Sequence, residues 1–307
     1  MTTESRTILV TGVTGYLGSR LVPRLLEHEH GVRALTRDAS KLADHEWRDR
    51  IEVVEGDASS YDDLQRALDG VDVAYYLLHS MDGRPGFEER DREMAATFAR
   101  AAEDTGVSRI VYMSGLHPEG ELSAHLASRV EVGETFLRSG VPAAVLQAAV
   151  IIGPGSASYE MLRHLTRRLP VMLAPRWLDN RIQPIAVGDV LHYLTAALDL
   201  PEDTNRTFDV GGPDVLTYRE MIQRFAKVAG LGRRVVVTVP VLTPGLASLW
   251  VGLVTPIPSG LARPLVGSLV HEVVRREHDL DELVGPPPGG ARGYDESIAV
   301  AVAGNDP

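Results

Sequence analysis

Through the first half of the chain, short apolar runs rich in β-branched residues alternate with longer stretches whose apolar positions recur every three or four residues. The runs predict strands buried on both faces of a sheet, and the longer stretches predict helices that cover it. Ile8–Val10, Val32–Thr36, Ile51–Glu55, Val71–Leu78, Arg109–Met113 and Ala143–Gln147 read as successive strands. Helices are predicted over Tyr16–His28, Tyr61–Leu68, Phe87–Thr105 and Leu122–Ser139, the third carrying Met94, Phe98, Ala101 and Ala102 at helical spacing. Such alternation implies right-handed crossovers and a doubly wound parallel sheet of the α/β class, a Rossmann fold.

Beyond Pro154 the pattern loosens. A helix is predicted over Ser158–Arg168, a loop holds Pro170, Pro175 and Trp177, and Gln183–Asp189 leads into another helix. Thr207–Val210 suits a last strand returning to the sheet. Tyr218–Gly230 and Val235–Leu283 read as a smaller, mostly helical C-terminal lobe, and PPPGG at Pro286–Gly290 reads as a terminator. The expected division is therefore 1–153 with 183–212 as the Rossmann domain, 154–182 and 213–285 as a substrate lobe, and 286–307 as a linker and peripheral tail.

The first strand empties into TGVTGYLG, with Gly12, Gly15 and Gly18 at three-residue spacing. Gly12 and Gly15 let the backbone turn sharply and approach a pyrophosphate without a Cβ in the way, and Gly18 lets the next helix pack close. That helix points its unpaired N–H groups and positive dipole end at the phosphates, so a nucleotide cofactor is the simplest reason for the pattern. Thr14, Tyr16 and Leu17 complete the cradle. Arg37 follows the second strand about twenty residues after the glycines, where NAD binders place a carboxylate for the ribose 2′-hydroxyl. A guanidinium there suits a 2′-phosphate, which favours NADP(H) over NAD(H). Asp38 is the competing reading, since it meets the hydroxyls if the strand ends one residue later; Arg37 and Lys41 also suit an ordinary solvated loop. Ligands of such sheets bind beyond the C-terminal strand ends, which predicts one crevice ringed by Gly12–Gly18, Arg37, Asp57, His79, Ser114 and Gly153–Gly155.

Composition narrows the field. A formal net charge of −11 argues against a phosphate-backbone partner, and zero cysteines exclude thiolate catalysis, disulfides and Cys-ligated zinc. MTTESR lacks the apolar core of a signal peptide, so a cytoplasmic location is expected. Val235–Ala262 carries no charged residue, but Pro240, Pro244, Pro256 and Pro258 leave it too interrupted to cross a bilayer. It reads as a short buried helix with proline-rich loops, or else as an apolar lid or a surface that touches a membrane or a partner. His79 and His117 lack carboxylates at metal-site spacing, so no metal is expected. Arg163, Arg167, Arg168, Arg176 and Arg181 form a basic cluster that suits either a solvated flank or an anionic substrate. Tyr159 and Trp177 suit core or an aromatic wall.

Taken together, TGVTGYLG, Gly56-Asp57, VYMSG at Val111–Gly115, IGPG at Ile152–Gly155 and QPIAVGDV at Gln183–Val190 resemble the extended and atypical short-chain dehydrogenase/reductases, from the start to about Phe225. Arg37, LLHSM after the fourth strand, PRW at Pro175–Trp177 and FDVGGPDVLTY at Phe208–Tyr218 are similar to NmrA-like NAD(P)H-binding proteins. The resemblance implies Asp57 and Ala58 at the adenine edge, and Leu78 and His79 facing the nicotinamide end. It also implies a Tyr-x-x-x-Lys pair, which this chain cannot form. Its only lysines are Lys41 and Lys227, preceded four residues earlier by Arg37 and Gln223. Downstream of Ser114, His125 and Arg129 share the same i, i+4 helical spacing. A protonated His125 can give a proton to a carbonyl oxygen, with Arg129 and Ser114 stabilising the oxyanion. The expected function is an NADPH-dependent reductase of a small apolar carbonyl, enone or quinone, with a non-catalytic NADP(H) sensor or a nucleotide-holding accessory subunit as alternatives. The helices at Phe87–Thr105 and Leu122–Ser139 suit the four-helix dimer of the superfamily, and a monomer is equally compatible.

Overall fold

Strands that are apolar on both faces are stable only in the middle of a covered sheet. The computed structural model describes residues 5–79, 86–118, 120, 122–239, 255–256, 266–267 and 270–304. Strands β1 (Thr7–Thr11), β2 (Gly31–Thr36), β3 (Glu52–Glu55), β4 (Val73–Tyr76), β5 (Arg109–Gly115) and β6 (Ala143–Ala148) come first. They are followed by β7 (Ile151–Ile152), β8 (Val171–Ala174), β9 (Arg181–Ile182), β10 (Ile185–Ala186), β11 (Arg206–Val210), β12 (Leu216–Thr217) and β13 (Val235–Thr238). The helices are α1 (Gly18–Glu27), α2 (Tyr61–Leu68), α3 (Phe87–Asp104), α4 (Ala124–Leu137), α5 (Ala157–Arg168), α6 (Val187–Ala196), α7 (Tyr218–Val228), α8 (Asp279–Val284) and α9 (Tyr294–Val302).

One sheet of 7 strands, in the order β11-β6-β5-β4-β1-β2-β3, is parallel throughout. Strand order reverses between β1 and β4, and ligand crevices of doubly wound sheets open at such a switch point. On one side of the sheet, α1 and α6 cover a core that includes Ile8, Val10, Leu21, Leu25, Val190 and Leu194. On the other side α2, α3 and α4 cover Leu9, Leu64, Phe98, Tyr112 and Phe136. Phe136 of α4 meets Tyr76 and Tyr112 edge-on at 5.0 and 5.5 Å between ring centroids. Such pairs add about 0.5–1.5 kcal/mol each beyond area burial and fix the helix on the sheet. Gly133 permits that approach, since a Cβ there would lie 3.2 Å from Val145 Cγ1. Ser128 Oγ donates to the buried Asp91 of α3 at 3.3 Å, tying α4 sideways as well.

A separate core gathers Tyr159, Met161, Leu162, Met172, Tyr218, Met221, Phe225 and Ile298 above the C-terminal strand ends. Two expectations change here. The segment 286–307, read as linker and tail, contains α9, whose Tyr294, Ile298 and Ala301 are buried in this second core. Their i, i+4, i+7 spacing makes one apolar stripe, and the Tyr294 hydroxyl donates to Met221 O at 2.8 Å. Val235–Thr238, read as part of a helical stretch, is strand β13 paired in parallel with β8. Consecutive β-branched residues suit a pleated ribbon better than a helix. The remainder of the uncharged Val235–Ala262 run lies outside the described residues, apart from Val239, Thr255 and Pro256. Among the described residues, no helix is long and apolar enough to cross a membrane.

Candidate active site

The crevice is built from the end of β1. The buried Thr11 hydroxyl donates to Tyr75 O at 2.9 Å and accepts from Leu77 N at 3.2 Å, pinning the ends of β1 and β4 together at the switch point. Gly12 then turns with φ +67°, and a Cβ on it would lie 2.7 Å from Leu77 O. Its carbonyl accepts from Gly15 N at 2.8 Å and closes the turn. At Gly18 a Cβ would lie 2.9 Å from both the Gly12 carbonyl carbon and Val13 Cα, and closer still to the Gly12 oxygen. The N-terminus of α1 has no side-chain cap. The first-turn N–H groups of Ser19 and Arg20 bond to Gly15 O and Leu17 O, so it is the positive dipole end of the helix that faces the turn, as an anion site requires. Sterics and dipole both fit a dinucleotide diphosphate.

Arg37 is exposed just past β2 and makes no hydrogen bond or ion pair among the described residues. Asp38, its rival in the sequence, has its carboxylate engaged elsewhere. Oδ1 accepts from Ser40 N at 3.0 Å and from the Ser40 hydroxyl at 2.6 Å, capping the short 3-10 turn Ala39–Leu42. Those bonds hold Asp38 below the usual carboxylate range. Asp57 accepts from Ser59 N and the Ser59 hydroxyl, each at 2.8 Å, and these bonds with a smaller contribution from Arg37 lower its pKa. Arg37 and Asp57 thus share one electrostatic neighbourhood beyond the ends of β2 and β3. Ala58 is buried beside them, and the half-buried Leu78 packs at the end of β4.

From the glycine turn a cavity of about 410 Å³ runs under the second core. Of the sequence candidates, Gly12, Gly15, Tyr16, Leu17, Gly18, His79, Ser114, His125 and Arg129 line it. Thr14, Arg37, Asp57, Ala58 and Leu78 do not. The rings of His79 and His125 stand 6.4 Å apart between centroids. The Arg129 guanidinium donates to Met113 O at 2.7 Å, and its buried Nε finds no acceptor among the described residues. Ser114 Oγ donates to Arg129 O at 3.3 Å, so its hydroxyl hydrogen is turned toward α4.

The electrostatics correct one expectation. Burial, reinforced by the Arg129 cation, pushes His125 down to about 4, and the same causes plus His125 itself push His79 well below the usual imidazole range. His79 is open to the crevice, and the protein packed around it together with the nearby Arg129 disfavours its charged form. A shift in this direction favours neutral His125 at pH 7, a hydrogen-bonding group in place of the imidazolium donor expected from its i, i+4 spacing with Arg129. The depressed pKa makes an acid-side stability loss. Above pH 6.5 both states hold neutral His125, whereas between pH 6.5 and 4 only the unfolded chain gains the proton, costing on the order of 3 kcal/mol by pH 4. His125→Leu is expected to flatten this fall in thermal melts between pH 7 and 5, and an unchanged pH profile would remove His125 as its source.

Sequence reasoning gave no role to Tyr218, the first residue of α7. The T-x-x-E capping box of Thr217 and Glu220 sets the helix start and so places Tyr218 in the cavity wall. It is 2 % exposed, its hydroxyl has no hydrogen-bond partner among the described residues, and burial raises its pKa. The IGPG motif has a structural meaning the sequence did not show. A Cβ on Gly153 would press on the Tyr16 hydroxyl and lie 2.5 Å from Val187 Cγ1. Arg20, stacked 4.2 Å over the Tyr16 ring, donates to Pro154 O at 3.1 Å. The basic cluster stays out of the cavity, with Arg163 paired to Glu160 and Arg181 to Glu272, each at 2.6 Å. Tyr159 is core. Among the described residues, no group of His, Asp and Glu is arranged to hold a metal ion.

Residues 12–157 match the NAD(P)H-binding family. A ceramide reductase of Caulobacter vibrioides is 30% identical over 280 residues, covering 86% of this chain and 84% of that protein. Among solved structures, the Citrobacter sp. triphenylmethane reductase complexed with NADP(H) superposes with a TM-score of 0.74 at 20% identity, over 96% of this chain and 99% of that one. The NADPH-dependent quinone oxidoreductase of Escherichia coli complexed with NADPH gives 0.75 at 20% identity, over 95% and 98%. The glycine turn at the switch point, the Rossmann sheet and a reductase relative matched over 84% of its length together make this chain a member of the NAD(P)H-binding family.

Proposed function

We propose that the protein is an NADPH-dependent reductase of an apolar carbonyl, enone or quinone compound. The observation that carries this reading is the continuity of one cavity from the glycine turn, past His79, His125 and Arg129, to an apolar end walled by Met161, Ile182, Tyr218 and Val273. Bound NADPH supplies the hydride. Arg129 stabilises negative charge developing on the substrate oxygen, neutral His125 offers a ring N–H to the same atom, and the oxyanion left by hydride transfer takes its proton from solvent water as the product leaves. The raised pKa of Tyr218 makes its phenol a hydrogen-bond donor and not an acid, suited to hold a polar atom of an otherwise apolar substrate. Arg37 takes the 2′-phosphate. In this reading 1–153 with 183–212 bind the cofactor, while 154–182, 213–285 and α9 shape the substrate end.

Support comes from the NADP(H)- and NADPH-bound structures of similar fold and from the ceramide reductase, whose name points to reduction of a lipid. The test is NADPH consumption across matched carbonyl, enone and quinone panels of increasing chain length. Turnover that rises with apolar length supports the proposal. Tight NADPH binding without turnover on any panel would instead make the protein a cofactor sensor. Tyr218→Phe is expected to raise KM for accepted substrates about fivefold to fiftyfold, the effect of one lost buried hydrogen bond, while leaving NADPH affinity unchanged. Equal KM values in the two proteins would remove Tyr218 from substrate recognition.

A further inference from the structure

Strands β8 and β13 pair with Val171 beside Val235, Met172 beside Val236 and Leu173 beside Val237. Strand alternation turns Met172 and Ala174 into the second core and Val171, Leu173, Val235 and Val237 away from it. Those outward side chains are 56, 53, 51 and 44 % exposed. Among the described residues, the other large hydrophobics so exposed are Val215 and Leu283, so exposed aliphatic surface is concentrated on this one ribbon. An aliphatic face of this kind marks a surface that meets something less polar than water.

Its surroundings say what. Arg167 and Arg168 precede β8, and Arg233 and Arg234 precede β13. Arg234 Nε donates to Thr166 O at 2.7 Å and Val235 N to Pro170 O at 2.8 Å, which brings both strand entrances together. Exposed Lys227 borders the same hollow as Arg233, Arg234 and Val235, and no carboxylate lines it. Arg219 on its far wall is already paired with Asp179 at 2.6 Å. Cations therefore gather at one end of an aliphatic ribbon in a chain whose net charge is −11. Protein interfaces favour aromatic anchors and charges of both signs at the rim. Aliphatic side chains with Arg167, Lys227 and Arg233 gathered at one end, and with Asp179 at the other already neutralised by Arg219, match the acyl boundary and headgroups of an anionic bilayer.

We propose that this ribbon is a peripheral membrane-binding surface, with Val171, Leu173, Val235 and Val237 at the acyl boundary and Arg167, Lys227 and Arg233 on anionic lipid headgroups. Such seating brings the enzyme to water-insoluble compounds, but the inference stands on the surface alone and not on catalysis. The experiment is co-sedimentation of the full chain with vesicles of phosphatidylcholine and of phosphatidylcholine with phosphatidylglycerol. Binding to the anionic vesicles at low salt, weakened at high salt, is expected. Arg167→Gln with Arg233→Gln should weaken it about 25-fold, at roughly fivefold per cation. Leu173→Glu should abolish pelleting while NADPH affinity stays at the wild-type value, which shows that the variant is folded. Absence of binding to anionic vesicles at low salt, or equal binding by all variants, would overturn the proposal. So would a wild-type dimer that Leu173→Glu converts to a monomer without any vesicle binding, since a second copy would then be the partner of this face.

Discussion

Gly18→Ala is expected to weaken NADPH binding by roughly a hundredfold or more, a cost of about 3 kcal/mol. The added methyl would sit 2.9 Å from the Gly12 carbonyl carbon and from Val13 Cα. Both are backbone atoms, so relief requires moving either α1 or the turn itself. Any such movement swings the positive end of α1 and the turn backbone off the diphosphate, and the lost interactions are with a charged group. Part of the cost appears as a lower Tm, because the same displacement disturbs Leu21 and Leu25 in the core beneath α1. Gly232→Ala serves as the control, since a Cβ there meets nothing within 4 Å and the backbone is not left-handed. Titration calorimetry on the two variants checks this, and wild-type affinity in Gly18→Ala would contradict the placement of the cofactor.

Arg37→Ala is expected to reduce affinity for NADPH about 10- to 100-fold and leave affinity for NADH nearly unchanged, the loss of roughly 1.5–3 kcal/mol of charge-assisted bonding to one phosphate. The guanidinium is exposed, makes no hydrogen bond or ion pair among the described residues and has only a minor electrostatic tie to Asp57, so removing it disturbs little of the fold. Its effect should appear in binding and not in Tm. High salt should narrow the difference between the cofactors in the wild-type protein, because an exposed charge pair is screened. A variant that loses NADH and NADPH affinity equally would show that Arg37 acts through the fold and not on the 2′-phosphate.

The main sheet was readable because a strand buried on both faces cannot hide its composition: Ile8–Val10 and Ala143–Gln147 are apolar at nearly every position. The roles of Gly12 and Gly18 were likewise visible, since φ +67° at one and a backbone neighbour at the other admit only glycine. The choice between Arg37 and Asp38 was not, because it depends on where β2 ends to within one residue; the Asx cap onto Ser40 engages the Asp38 carboxylate and leaves Arg37 as the proposed reader. The protonation of His125 was hidden for a different reason. Its spacing from Arg129 was legible, whereas its burial beside that cation is a property of the packed site. Helix α9 was missed because PPPGG reads as an ending and its stripe of Tyr294, Ile298 and Ala301 is short. Tyr218 lay in plain view within a quoted motif, but an unpartnered buried hydroxyl has no signature in sequence.

A single calorimetric comparison bears most directly on the central claim, that the turn at Gly12–Gly18 holds a dinucleotide diphosphate while Arg37 reads its adenosine end. The wild-type protein, titrated with NADPH and then with NADH at low salt, should bind both, with NADPH at least about tenfold tighter. No heat with either cofactor at millimolar concentration, or a preference for NADH, would contradict it.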